Sequence, residues 1–214
     1  IAHDLKTPLA RIRGFAELSL THEENLEDFR AMASNTIEES DRLLDMINTM
    51  LVISKAEAGE GEFDFKKTNL SLMIKNACDL FEPLADDKNI RFDTTIEDQI
   101  FIVADTKMLQ RAFSNLLDNA IKFTTHKKKA QIEIGTSENE TQWLIFVKDN
   151  GIGFDMKYHD RIFNIFQRLH LPEEYEGTGI GLAMVHKAMN RMNGKIWAES
   201  EPGKGTCFYI EIGK

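Results

Sequence analysis

His3 is followed at once by Asp4, and Thr7 stands four residues further on. A carboxylate beside an imidazole can orient the ring and take its proton, leaving a ring nitrogen free to attack an electrophile. Residues four apart on a helix share a face, so the Thr7 hydroxyl would lie one turn from the imidazole. Pro8 removes the backbone hydrogen bond to the Asp4 carbonyl and favours a kink there. A lone helical histidine is more often a surface or packed residue than a nucleophile. The trio therefore carries weight only together with chemistry found elsewhere in the chain.

Four further clusters lie in the second half. In Asn115-Leu116-Leu117-Asp118-Asn119-Ala120-Ile121-Lys122-Phe123, a helix would place Asn115, Asn119 and Lys122 on one face. Amide oxygens are hard ligands suited to Mg²⁺, and a lysine ammonium can meet a phosphate. A merely polar helix face has the same spacing. In Asp149-Asn150-Gly151-Ile152-Gly153-Phe154, the carboxylate could accept a hydrogen bond from an exocyclic amine such as that of adenine. Gly151 and Gly153 would let backbone approach a flat ring closely. An Asn-Gly hairpin turn is the plain alternative, although no clear strand follows it.

Gly177-Thr178-Gly179-Ile180-Gly181-Leu182 leads into a helical pattern. Glycines there would bring backbone N–H groups and the positive end of the helix dipole to bear on phosphates. The run lacks the preceding strand of a dinucleotide fingerprint and the closing Gly-Lys-Ser/Thr of a P-loop. The fourth cluster, Arg161-Ile162-Phe163-Asn164-Ile165-Phe166-Gln167-Arg168, precedes a polar stretch. It reads either as the base of a mobile cover, with Arg168 reaching a terminal phosphate, or as a short core helix with a surface loop.

The elements that must position these groups follow from periodicity. Leu5, Leu9, Ile12 and Ala16 predict a helix over residues 1–20, and Thr21–Asn25 is a polar break. Leu26, Phe29, Ala33, Ile37, Ser40, Leu44, Ile47 and Leu51 form a near-heptad stripe on a second helix, ending near Ala58-Gly59-Glu60-Gly61. Two helices cannot bury that stripe on every side, so a dimeric four-helix bundle is expected, the alternative being a hairpin packed on its own C-terminal domain. Beyond it the pattern predicts helices at 72–86, from Asp105 as cap to Phe123, and at 180–192. Strands are predicted at 90–94, 100–103, 130–135, 143–148, 195–199 and 206–212. The fold class is therefore α+β: an antiparallel helical hairpin at 1–58, a linker at 59–68, and a two-layer α/β sandwich at 69–214.

Bulk properties agree. The chain has 214 residues, 42% hydrophobic and 29% charged, with formal net charge −9, which argues against a nucleic-acid partner. Cys78 and Cys207 show no metal-ligand spacing, which fits a reducing compartment. No apolar run approaches the roughly 20 residues that span a bilayer, so any membrane attachment is expected to come from segments outside this chain. The expected location of this portion is cytoplasmic.

Taken in order, the clusters from about Asn69 onward resemble the N, G1, F and G2 boxes of the histidine-kinase ATP-binding domain, within the wider GHKL ATPase family. His3-Asp4-Leu5-Lys6-Thr7-Pro8-Leu9 resembles the H box of the matching dimerisation and phosphotransfer domain. The resemblance implies ATP and Mg²⁺ as cofactors, with Asn119 on the metal and Asn115 and Lys122 near the phosphates. It implies Asp149 reading the adenine amine, with Gly151 and Gly153 beside the ring and Arg168 toward the terminal phosphate. Gly177, Thr178, Gly179, Gly181 and Leu182 would form the phosphate-side loop, and Thr206 would line the adenine pocket. His3 would be the phosphoacceptor, Asp4 its base, and a receiver domain of a response regulator the partner. The family more often has Glu after the histidine and Arg two further on, where this chain has Asp4 and Lys6. Chaperone- and topoisomerase-type ATPases share the ATP fold, but they generally carry a water-activating Glu near the Asn115 position.

The resemblance also places a phosphatase activity on Thr7. A four-residue step is about 1.1 helical turns, or roughly 6 Å along the axis. A phospho-aspartate docked near His3 would then be in reach of a hydroxyl able to orient a water. Thr7→Ala is expected to keep autophosphorylation within a few fold and to reduce dephosphorylation of the partner strongly. Both rates, measured with the cognate receiver domain, decide it. Equal loss would leave Thr7 a structural residue bonded to a carbonyl one turn back.

Overall fold

The computed structural model describes residues 2–21, 26–57, 64–169, 175 and 177–214. Two compact units divide the chain, Ile1–Gly61 and Glu62–Lys214.

The first unit is a pair of helices, α1 (Ala2–Thr21) and α2 (Leu26–Glu57). Residues 22–25 of the predicted polar break and the predicted stop at 58–61 lie outside the described residues. α1 runs through Pro8, whose side is buried, as is Leu43 of α2. Glu39, also buried, receives Arg11 at 3.4 Å. The stripe read from the sequence is on another face: Leu26, Phe29, Ile37, Leu44 and Ile47 are all exposed, and so is Leu9. Among the described side chains of this unit, Pro8, Glu39 and Leu43 are the buried ones, and Leu26, Phe29, Ile37, Leu44 and Ile47 are not covered by the hairpin itself.

The second unit stacks three helices on one face of a mixed sheet. Its elements are β1 (Phe65–Asn69), α3 (Leu70–Asp87), β2 (Arg91–Thr95), β3 (Phe101–Asp105) and α4 (Thr106–Thr124). There follow β4 (Gln131–Glu138), β5 (Gln142–Asp149), a single 3₁₀ turn (Met156–Tyr158), α5 (Gly181–Arg191), β6 (Lys195–Glu201) and β7 (Gly205–Gly213). The main sheet has the order β2-β4-β5-β7-β6, antiparallel except for the parallel pair β2–β4. β1 and β3 form a separate antiparallel pair.

Strand alternation sends one set of side chains inward. Ile132, Ile134, Ile145, Val147, Phe208 and Ile210 meet Phe113, Leu116, Leu117 and Ile121 of α4 and Val185 and Met189 of α5. On the opposite face Phe146 lies against Gly135, where a Cβ would come within 2.3 Å of its ring, and Trp197 stacks on Tyr209. Side-chain caps start two helices: Asn69 accepts from Leu72 N at 3.0 Å and Asp105 from Met108 N at 3.0 Å. β1 falls largely in the stretch the sequence assigned to a linker. Its residues, Phe-Lys-Lys-Thr-Asn, bury only Thr68, whose hydroxyl meets that of Thr106 at 2.7 Å. Apolar periodicity cannot reveal a strand anchored by hydroxyls.

α4 carries one face of the site described next, so its start matters. Asp105→Ala is expected to cost about 1 kcal/mol, the usual scale of a lost N-cap. Urea midpoints at unchanged slope would measure it, and a loss below a few tenths would show that Asp105 does not hold the helix start.

Candidate functional site

Asp149 ends β5 opposite Thr206 of β7 and is buried. Its Oδ1 accepts from Gly151 N at 2.8 Å and from Thr206 N at 3.3 Å, while Oδ2 takes no hydrogen bond from the described residues. Burial raises this carboxyl to about 6, against the opposing pull of the two backbone N–H groups and of Lys127. The group is thus held at the edge of neutrality, with one oxygen committed and one available.

The Asn-Gly dipeptide does not make a hairpin. Asn150 turns back on β4, donating to Lys129 O at 2.7 Å and accepting from Gln131 N at 3.0 Å. The chain then lodges between the end of α4 and the β6–β7 turn: Ile152 N donates to Phe123 O at 3.1 Å, and Gly203 N to Ile152 O at 2.6 Å. This crowding explains the glycines. A Cβ on Gly151 would lie 2.5 Å from Phe123 O, and one on Gly153, at φ +60°, 2.1 Å from Glu201 O. The protein's own backbone therefore already requires both. Gly205 was not singled out from the sequence, yet at φ +110° its Cβ would meet Asp149 O at 2.0 Å. Ser200 was missed as well; it accepts from Phe154 N at 2.8 Å and joins the Thr206 hydroxyl at 2.9 Å. Only a turn signal marked that region, so its service to Asp149 could not be read locally.

The helical face forms as expected. Asn115 and Lys122 both meet the glycine run. A Cβ on Gly181 would lie 2.6 Å from Asn115 Oδ1, and one on Gly177 2.6 Å from Lys122 Nζ. The Asn115 amide donates to Arg111 O at 2.7 Å, and Asn119 makes no hydrogen bond to any described residue. No side chain caps α5, whose N-cap is Ile180; Thr178, Gly181 and Leu182 are half-buried around it. Gly179 O accepts from Phe166 N at 2.8 Å, and both residues have positive φ. Arg168 donates to the carbonyl of Tyr175.

The structure therefore gathers two groups: Asn115, Lys122, Gly177 and Gly181 in one, and Asp149, Gly151, Gly153 and Thr206 in the other. Phe123 joins them, its carbonyl on the Asp149 turn and its ring 4.8 Å from Lys122 Nζ. Among the described residues no cluster of three His, Cys, Asp or Glu could hold a metal ion. His3 and Asp4 lie in the first turn of α1, in the other unit, and Thr7 is exposed there.

Comparison with known proteins decides the family. Residues 104–214 match the family described as "Histidine kinase-, DNA gyrase B-, and HSP90-like ATPase", and residues 1–59 match the "His Kinase A (phospho-acceptor) domain". The chain belongs to the sensor histidine kinases. It is 35% identical over 99% of its length to cyanobacterial phytochrome A of Nostoc sp., spanning 27% of that protein. It is 27% identical over 99% to the sensor protein kinase WalK of Staphylococcus haemolyticus, spanning 35% of it. The chain thus covers only a minor part of these relatives. Among solved structures, the catalytic domain of histidine kinase ThkA has 27% identity and TM-score 0.62, over 71% of this chain and 98% of that one. ThkA in complex with response regulator protein TrrA has TM-score 0.79 at 23% identity, over 100% of this chain and 59% of that one, a likeness of fold. This histidine-kinase core is thus an ATPase-type α/β sandwich preceded by phosphoacceptor helices, as expected from the sequence.

The buried carboxylate sets a pH dependence. The Asp149 carboxyl titrates at about 6 in the fold against 3.8 ordinarily, so the folded state binds more protons between these values. The resulting stabilisation is complete below the lower value and is lost as pH rises through the higher one. Asp149→Asn should remove this slope, so its stability relative to wild type should climb from pH 4 to 6 and then level off. Denaturant titrations across that range test it; parallel curves would mean that Asp149 is not desolvated.

Proposed function

We propose that this chain binds MgATP in its second unit and transfers the γ-phosphoryl group to His3, from which it passes to an aspartate of a response-regulator receiver domain. The observation that carries the reading is the meeting of the glycine run with the helical face, Gly177 at Lys122 and Gly181 at Asn115. That meeting sets an uncapped helix N-terminus beside a lysine and the Asn115 amide, an arrangement suited to a polyphosphate. Asp149 Oδ2 then accepts from the adenine amine, while Oδ1 stays with Gly151 and Thr206.

Asn119 fits the metal role. Its amide has no described partner, and Mg²⁺ is commonly held by one or two protein oxygens together with substrate phosphates. When bound, the ion would neutralise charge on the phosphates. Lys122 and the N–H groups of α5 hold the phosphoryl chain, and Arg168 would leave the Tyr175 carbonyl to meet the terminal phosphate. A ring nitrogen of His3 bonds to the γ-phosphorus as the bond to the bridging oxygen of ADP breaks, and the imidazole proton passes to Asp4. Thr7 is kept for a separate reaction, positioning the water that attacks the phospho-aspartate of the regulator and releases inorganic phosphate. The response regulator as partner is supported by the family and by the ThkA–TrrA structure. No helix of the described residues is long and apolar enough to cross a membrane. We place this portion in the cytoplasm, where ATP and receiver domains are found.

Labelled ATP tests the reading. Wild type should acquire acid-labile label, and His3→Ala should acquire none while keeping ATP affinity. Asp149→Asn should weaken ATP binding by about 1.5–3 kcal/mol, the scale of a hydrogen bond to a charged group. Acid-labile label on His3→Ala would disprove the phosphoacceptor, and unchanged calorimetric affinity in Asp149→Asn would take that residue out of the site.

The exposed stripe of α2 supports a homodimer. Leu26, Phe29, Ile37, Leu44 and Ile47 are more apolar surface than a helix normally leaves to water, and a second copy would complete a four-helix bundle. Leu44→Asp would bury an unpaired charge in that seam and should shift sedimentation from dimer to monomer. A wild-type monomer, here and in a version extended upstream, refutes the bundle.

A further inference from the structure

Ser200 of β6 stands directly across from Thr206 of β7. Its hydroxyl has three partners: Gly205 O at 2.9 Å, Phe154 N at 2.8 Å and Thr206 Oγ1 at 2.9 Å. The directions of these bonds are forced, because a hydroxyl has one proton and two lone pairs. A carbonyl can only accept, so the single Ser200 proton goes to Gly205 O. A backbone N–H can only donate, so Phe154 N takes one lone pair. The bond to Thr206 must then be donated by Thr206 into the other.

The consequence falls on Thr206. With its one proton committed to Ser200, the Thr206 hydroxyl can only accept from any further partner. Thr206 also pairs with Asp149 across β5 and β7, and directly paired residues share a face with Cβ atoms about 5 Å apart. Asp149 Oδ1 holds Gly151 N and Thr206 N, while Oδ2 takes no hydrogen bond from the described residues. Two buried neighbours thus offer acceptors and no side-chain proton. An exocyclic amine, with two N–H groups, suits such a pair. A carbonyl in its place would set lone pairs against lone pairs.

We infer that Ser200 is a positioning residue for base selection: by fixing the direction of the Thr206 hydroxyl, it makes the pocket favour a 6-aminopurine over a 6-oxopurine. The inference rests on the reading above, that the nucleotide base lies at Asp149. To that reading it adds a residue that acts through Thr206 rather than on the nucleotide. Asp149 does not complete the choice by itself, because a freely turning Thr206 hydroxyl would donate to a carbonyl as readily as it accepts from an amine. Rejection of the wrong base comes from leaving buried polar groups facing each other without a proton between them.

The test is calorimetric binding of MgADP and MgIDP, which differ at position 6 of the purine, with the weaker ligand measured by displacement. The pH is set about two units above the Asp149 value of about 6, so that the carboxyl is an acceptor only. Wild type should prefer MgADP, and Ser200→Ala should reduce that preference about two- to tenfold, the scale of one hydrogen bond. Ser200→Thr keeps the hydroxyl and should keep the preference. Thr206→Val removes the oriented acceptor and should reduce the preference as well, whether or not Ser200→Ala folds. A Ser200 that only braces the turn would weaken both ligands by the same factor on substitution; an unchanged ratio in Ser200→Ala or in Thr206→Val therefore overturns the inference. So does loss of the preference in Ser200→Thr, or equal binding of the two ligands by wild type. In each of those cases weakened MgADP binding by Asp149→Asn still upholds the site. Failure of wild type to bind MgADP at all would overturn the nucleotide reading itself.

Discussion

A carboxylate with one oxygen bonded inward and the other left over is the constraint around which the second unit is arranged. Asp149 Oδ1 needs two backbone N–H groups, and these come from separate places: Gly151 on its own turn and Thr206 on the neighbouring strand. Supplying both forces the turn after β5 into the space between α4 and the β6–β7 turn. There no Cβ fits at 151, 153 or 205. Desolvation works against the charge, as the raised carboxyl shows, so the arrangement costs stability in the free protein. Such a cost is typical of a polar group placed for a ligand rather than for the fold.

A second close approach has the same logic at the other end. The run leading into α5 lies close against α4: a Cβ at 177 would meet the end of the Lys122 side chain, and one at 181 would meet the Asn115 amide. The two approaches are linked through Phe123, which touches the Asp149 turn through its carbonyl and Lys122 through its ring. The Asp149 turn and the Lys122–Gly177 approach are thus tied together through one turn of α4.

Much of this was legible in the sequence, for identifiable reasons. α4 could be read because Asp105 is a strong cap and because Asn115, Asn119 and Lys122 keep helical spacing against a continuous apolar face. The inward alternation of β5 and β7 was equally plain. What escaped depended on contacts distant in sequence. β1 is held by the Thr68–Thr106 hydroxyl pair across 38 residues, and the parallel pairing of β2 with β4 leaves no local trace. The glycines of the Asp149 turn were noticed, but as room for a ring; their demand comes from backbone at Phe123 and Glu201. Gly205 looked like an ordinary hairpin glycine. In the helical unit the residues of the stripe read from the sequence are exposed, whereas among the described residues the buried ones, Pro8, Glu39 and Leu43, include a proline and a charged group that an apolar pattern does not pick out.

The placement of the tryptophans allows the two units to be watched separately. The chain has two tryptophans, Trp143 on β5 and Trp197 on β6, and neither unit-one helix has any. Trp197 stacks on Tyr209, so its emission is tied to the pairing of β6 with β7. Indole fluorescence during denaturation therefore reports the sandwich and is blind to the helical hairpin, whereas helical ellipticity registers both. Superimposable curves from the two signals would identify one cooperative unit, and displaced curves two that melt independently. The placement of two indoles thus supplies an optical separation of the phosphoacceptor helices from the nucleotide domain without any added label.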